Sequence, residues 1–203
     1  MNASASVIMA HPRALFIITF FLIYSAFISM ILVRVQGCPP EQLRALLSFK
    51  ASLDSWEGED CCVWSGVVCD KIESGGHVTK LDLSDLGLSS VNHRNIDSSL
   101  FRLSHLKYLD LSATKIVGSL PSWLWKFSSQ LRSLDILDNN LEGLFASTLD
   151  ALPNLQIVRL QNNSLEGEIP SNLANLSMIS ILNIADNRFK GEIPEDLGML
   201  TKL

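Results

Sequence analysis

"NSLEGEIPSNLANLSMISILNIADNRFKGEIP", residues 163–194, says nearly the same thing twice: "NSLEGEIP" starts at Asn163 and "NRFKGEIP" at Asn187, 24 residues on. A repeat at that interval marks a unit that can bury its apolar face only against a copy of itself. Working outward, five such units begin at Val78, Leu106, Leu131, Leu155 and Ile179, spaced 28, 25, 24 and 24 residues apart, and Leu203 stands 24 beyond the last start. They share the pattern LxxLxLxxNxLxG, and the later ones add xIP.

Each conserved slot of that pattern has a mechanical reason. In LxL the two apolar residues point inward and their neighbours outward, the period-two alternation of a half-buried strand. Successive strands stack in parallel, so a continuous core forms only where units cover one another. Asn139, Asn163 and Asn187 then form one column, with amides placed to satisfy backbone groups where each strand turns away. Gly118, Gly143, Gly167 and Gly191 follow four residues later, read as a tight turn that tolerates little side chain. Pro121, Pro170 and Pro194 suit edge or turn positions, since proline cannot donate to a central ladder.

The remainder of the chain bounds where this solenoid works. Residues 1–37 carry only Arg13 and Arg34, which leaves 14 basic against 21 acidic side chains from Cys38 onward. A domain this acidic repels nucleic acid and anionic lipid, so neither is a natural partner. The charge-free run Ala14–Val33 reads as the core of a secretory signal, with Val35 and Gly37 suiting cleavage after Gly37. A retained membrane anchor is the alternative for residues 1–37. Either way residue 38 onward lies outside the cytosol. Cys38, Cys61, Cys62 and Cys69 form an even cluster in an exported chain, which implies two disulfides. Three pairings are open, although the adjacent Cys61 and Cys62 rarely bond each other. Zinc is the rival use, but no CxxC pair or flanking histidine supports it.

At these residues the chain resembles the plant-specific leucine-rich repeats, whose signature is LxxLxxLxLxxNxLxGxIP, over residues 78–203. It departs from that signature at Leu86 and Thr114, which occupy the asparagine slot of the first two units, and at Phe145, where "FAS" replaces IP. The preceding block, "CPPEQLRALLSFKASLDSW" and "DCCVWSGVVCD", resembles the amino-terminal cap of plant leucine-rich-repeat receptors and inhibitors. The resemblance implies the pairs Cys38–Cys61 and Cys62–Cys69. Within the cap, Leu43, Leu46, Leu47 and Leu53 recur at helical spacing, and Trp56 and Trp64 bring apolar area that would shield the first rung. The expected fold is therefore an α/β solenoid. Residues 38–77 form a disulfide-stapled helical cap, and residues 78–203 form an arc with a parallel inner sheet.

Function should lie on the outward strand residues, which form a grid on the inner sheet. It contains Lys80, Asp82, Tyr108, Asp110, Asp135, Arg159, Gln161 and Asn183 as the expected ligand face, with Ser84, Ser112, Ser133, Leu137, Ile157, Ile181 and Ala185 between them. One column reads Asp82, Asp110, Asp135, Arg159, Asn183. Neighbouring parallel strands lie about 4.8 Å apart, so the three carboxylates should raise one another's pKa. They could simply solvate the strand face, with Asp135 pairing to Arg159, receive a basic group of a ligand, or act as a glycosidase acid and base. A shallow sheet excludes little water, which weighs against catalysis.

His77, His93 and His105 belong to no nucleophile arrangement and read as loop or edge residues. Trp123 and Trp125 read as flank packing, with an aromatic binding ridge as the alternative. No phosphate loop or dinucleotide fingerprint occurs, and no cofactor or metal is expected. Sequons at Asn162 and Asn175 would be glycosylated on export, Asn175 harmlessly and Asn162 at the rim of the face; the one at Asn2 falls in the targeting segment.

The resemblance implies a non-catalytic extracellular recognition module of a plant receptor-like protein in defence or development. Its partners would be a peptide or protein ligand and a co-receptor kinase. The wording "SSLFRLSHLKYLDLS" in the long first unit favours this over a secreted polygalacturonase inhibitor, with a wall-polysaccharide hydrolase a distant third. Because the repeats stop at Leu203 without a closing cap, the sequence reads as the front portion of a longer family, with any membrane contact confined to residues 1–37 or a missing carboxy-terminal span.

Overall fold

The computed structural model describes residues 24, 37–50, 56–71, 75–84, 98–120, 124, 130–145 and 152–203, with the side chains of residues 48–50 excepted. The chain divides into two compact units, Met1–Gln36 and Gly37–Leu203, and everything below concerns the second. Apart from Tyr24 and Gly37, residues 1–37, expected to be a targeting segment, lie outside the described residues, as do Leu53, Leu86, Pro121, Trp123, Trp125 and His93. Among the described residues no helix is long and apolar enough to cross a membrane.

The LxL phrases form the strands expected of them. β2 (Val78–Asp82), β3 (Tyr108–Asp110), β5 (Ser133–Asp135), β7 (Ile157–Arg159) and β9 (Ile181–Asn183) pair in parallel and in register. Leu81, Leu109, Leu134, Val158 and Leu182 occupy one row of that sheet, and the first four are fully buried. The second apolar residue of each phrase, at Leu83, Leu111, Ile136 and Leu160, is buried just past the strand. Each such side chain contributes on the order of 2 kcal/mol by leaving water.

Two features go beyond the sequence reading. β1 (Val67–Cys69) joins the same sheet antiparallel to β2, so the order is β1-β2-β3-β5-β7-β9 and the cap supplies its first strand. The NxLxG phrases also form strands of their own. β4 (Val117–Gly118), β6 (Asn140–Leu144), β8 (Ser164–Glu168) and β10 (Arg188–Lys190) make a second parallel sheet in the order β10-β8-β6-β4. Here Leu141 and Leu165 point into the core while Glu142 and Glu166 face out.

This changes the account of the glycine column. Gly143 and Gly167 sit inside strands rather than in turns, at φ +85° and +94°. A Cβ on Gly143 would meet nothing closer than 3.6 Å, so backbone conformation rather than lack of space selects glycine there. Beyond the second sheet, the IP segments lead into short 3-10 turns at Ser171–Asn175 and Glu195–Met199.

The cap is built on α1 (Pro40–Lys50), which opens with proline at a position where its missing N–H costs nothing. Ala45 and Leu46 are buried and Leu43 is half-buried, whereas Leu47 is 41% exposed and faces away from the core. Trp56 and Trp64 stack with ring centroids 4.9 Å apart, and both are buried. Their indole N–H groups donate to the carbonyls of Ser65 and Glu57. The disulfides are Cys38–Cys61 and Cys62–Cys69, which consumes all four thiols and leaves none for zinc.

Candidate ligand-binding face

Period-two alternation sends one row of each inner strand outward, and the ladder sets these residues side by side. Lys80, Tyr108, Ser133, Ile157 and Ile181 form one column, and Asp82, Asp110, Asp135, Arg159 and Asn183 form the next. Tyr108 and Ile181 are the most open apolar members, at 42% and 39% exposure.

The three aspartates have different surroundings. Asp82 Oδ1 accepts from the Ser84 N–H and hydroxyl, and its Oδ2 lies 3.1 Å from Lys80 Nζ. Burial pushes this carboxyl up, but the bonds from Ser84 and Lys80 together with the lysine charge outweigh it, and the net shift is downward. Asp110 Oδ1 holds the Ser112 N–H and hydroxyl at 2.9 and 2.6 Å, and no cation pairs with it among the described residues. Asp135 is buried; its Oδ1 accepts from the Leu137 N–H and its Oδ2 lies 3.1 Å from Arg159 Nη1. Burial holds the Asp135 carboxyl above its ordinary range, and the Asp110 charge adds to this; Leu137 and Arg159 oppose it without cancelling it. The expected mutual raising is thus a minor effect at Asp135 and plays no part at Asp82, where burial is outweighed by the Ser84 and Lys80 bonds and the lysine charge.

Behind the face, the asparagine column bonds rung to rung. Asn139 Nδ2 shares its hydrogens among the carbonyls of Leu111, Ile136 and Leu137, and its Oδ1 accepts from the Ile116 N–H. Asn163 reaches Ile136, Leu160 and Gln161 and accepts from Leu141; Asn187 reaches Leu160, Ile184 and Ala185 and accepts from Leu165. In the second unit Thr114 fills the slot, donating 2.7 Å to Leu111 O and lying against Asn139 Oδ1. The residue preceding the slot has positive φ in the second to fifth units: Ala113, Asp138, Asn162 and Asp186. Exposed Asn162 also donates through Nδ2 to Asp138 Oδ1, while Asn175 is exposed at the end of its 3-10 turn. Gln161 is half-buried, and its Oε1 meets no donor among the described residues.

Sequence reasoning passed over Gln42 and read His77 and His105 only as loop or edge residues. Gln42 is 1% exposed; its Oε1 accepts from the Val78 N–H at 2.8 Å and its Nε2 lies 3.1 Å from His77 Nδ1. His77 stacks on His105 with centroids 3.8 Å apart, joining cap to first rung. A polar residue inside the apolar stripe of a cap helix was the available signal for Gln42. A surface depression of about 780 Å³ at the two IP turns is lined by Glu168, Ile169, Pro170 and Gly191 among others, and shares no residue with the aspartate column.

Known proteins share this architecture. Residues 39–70 match the leucine rich repeat N-terminal domain, and residues 105–127, 154–176 and 178–200 match the Leucine Rich Repeat family. Receptor-like protein 50 of Arabidopsis thaliana is 37% identical over 152 residues, covering 66% of this chain. The chain belongs to the leucine-rich-repeat proteins, in the form found in plant receptor-like proteins. It spans only 16% of that relative's length. Among solved structures, this leucine-rich-repeat chain superposes on a plant ice-binding protein with TM-score 0.73 at 28% identity, covering 81% of this chain and 54% of the other. It also superposes on the ectodomain of the Arabidopsis receptor kinase HAESA in complex with an IDA peptide hormone, with TM-score 0.62 at 28% identity, covering 79% and 31%.

Proposed function

We propose that the outward face of the six-stranded sheet is a recognition surface for an extracellular peptide or protein, within a non-catalytic module of receptor-like type. The observation that carries this is the grid itself: charged, aromatic and branched apolar side chains held at fixed intervals on a hydrogen-bonded ladder. Rigid display of that kind lowers the ordering cost of binding. The solved relative that holds a peptide hormone supports the ligand class. The ice-binding relative shows that one fold serves different ligands, so side chains must decide. The carboxylate of Asp110, which no cation neutralises among the described residues, favours a charged organic ligand over a neutral crystalline surface.

Binding is also favoured over hydrolysis, because Asp82 and Asp135 already face cations and Asp110 is held by its own serine. In this reading the module works outside the cell, Asn162 and Asn175 carry N-linked glycans, and a co-receptor kinase is the second partner. Selection of a random peptide display library on the immobilised full chain tests the surface. Binding should fall about tenfold when Ile157 and Ile181 are both changed to serine. It should hold when Glu142 and Glu166 of the second sheet become alanine. Binding that ignores the first pair sinks the assignment.

A further inference from the structure

The electrostatics of this face are uneven along the solenoid. Lys80 neutralises Asp82 and Arg159 neutralises Asp135, each across 3.1 Å. Asp110 lies between them in the same column with no cation opposite it among the described residues. Its Oδ1 is committed to Ser112, which fixes the carboxylate and leaves Oδ2 for a further donor. Two residues earlier on the same strand and the same side stands Tyr108, 42% exposed. An aromatic face beside an unpaired carboxylate suits a cationic side chain, which the ring and the charge attract together.

The other end of the face has the opposite character. Ile157 and Ile181 are adjacent in register, Ile181 is 39% exposed, and neither β7 nor β9 places a carboxylate on the face. β7 is the second strand beyond β3 and β9 the third, so the apolar pair lies roughly 10 to 14 Å from Tyr108, in whose column it stands, at about 4.8 Å per strand. An extended peptide rises about 3.3 Å per residue, so it covers that distance in about three or four residues.

We propose that the face takes an extended peptide crossing the strands, with a lysine or arginine at Asp110 and Tyr108 and a branched apolar side chain about three or four residues away at Ile157 and Ile181. This rests on the recognition reading above and names its ligand class.

The test uses the peptide pool selected on the full chain. Asp110→Asn is the informative variant, because an asparagine oxygen can still accept from the Ser112 N–H and hydroxyl and the strand end keeps its geometry. The selected peptides should share a lysine or arginine at that spacing from isoleucine, leucine or valine. Asp110→Asn should weaken them about tenfold, whereas Asp82→Asn, whose carboxylate already faces Lys80, should weaken them less than about threefold. Added salt should weaken binding to the wild type and leave the variant nearly unaffected. Peptides that lack the cation or ignore Asp110→Asn, yet lose affinity in the Ile157→Ser, Ile181→Ser variant, overturn the cation assignment and leave the recognition reading standing. Peptides that ignore both sets of changes overturn both.

Discussion

Asp135 shows how one residue type in one column acquires different properties. Asp82 and Asp135 both face a cation, yet their carboxyls shift in opposite directions, because Asp82 keeps two bonds from Ser84 and more water while Asp135 is buried. The raised group binds its proton more tightly in the folded state than in the unfolded chain. Its contribution to stability therefore falls as pH rises through the window just above 3.8 and is most favourable below it. Asp135→Asn should remove that dependence. At neutral pH the variant should stay within about 1 kcal/mol of the wild type, because Arg159 is 37% exposed and can return to water. Urea unfolding of both proteins between neutral and mildly acid pH measures the difference. A gap that favours the wild type more as pH falls agrees with burial as the dominant effect. A gap of opposite slope would mean that the Arg159 attraction dominates.

At the scale of elements, the joint between the two sheets is the critical piece, and the asparagine column makes it. The four rungs that begin at β3, β5, β7 and β9 each leave the inner strand through a residue with positive φ and turn into the second sheet, which leaves backbone groups at the joint outside both ladders. Asn139 bonds four backbone groups at 6% exposure; Leu111 O, Ile136 O and Leu137 O keep bonds from Thr114, Asn163 and the Ala113 N–H, so Asn139→Ala orphans chiefly the buried Ile116 N–H and should cost about 2 kcal/mol. Asn187→Ala exposes an equivalent set in a half-buried rung, with Ala185 at the surface, and should cost about 1 kcal/mol. Urea midpoints for the two variants decide it; equal costs would mean that the bonds matter less than packing. This column could be read from sequence because it recurs every 24 or 25 residues, and so could the inner strands, whose LxL rows are periodic. The second sheet was harder to see: its alternation at Leu141, Glu142 and Gly143 is short, and glycine there imitates a turn. Gln42 and the antiparallel β1 occur once each, so repetition could not reveal them. The proposed ligand face was legible as positions, but which aspartate keeps a cation depends on where Lys80 and Arg159 lie in space.

For the cap and rungs together, the question is whether stability is shared or local. A solenoid adds nearest-neighbour terms, so damage at one end should fade with distance. The cap touches the rungs through Gln42 and Val78, through β1 on β2 and through the His77–His105 stack, all of them on the first rung. Opening Cys38–Cys61, which spans 23 residues, frees the longer loop and should cost about 3.5 kcal/mol; opening Cys62–Cys69, which spans 7, should cost about 2.5 kcal/mol. If the terms are local, hydrogen exchange in the Cys38→Ser, Cys61→Ser variant should accelerate strongly in β1, β2 and β3. Exchange in β7, β8 and β9 should change little, since Asn163 and Asn187 hold those rungs to each other rather than to the cap. Equal acceleration in every strand would instead make cap and repeats one cooperative unit. The cap would then set the rigidity of the proposed ligand face as far as Ile181, and weakening it would loosen the proposed peptide binding without touching a single residue of the grid.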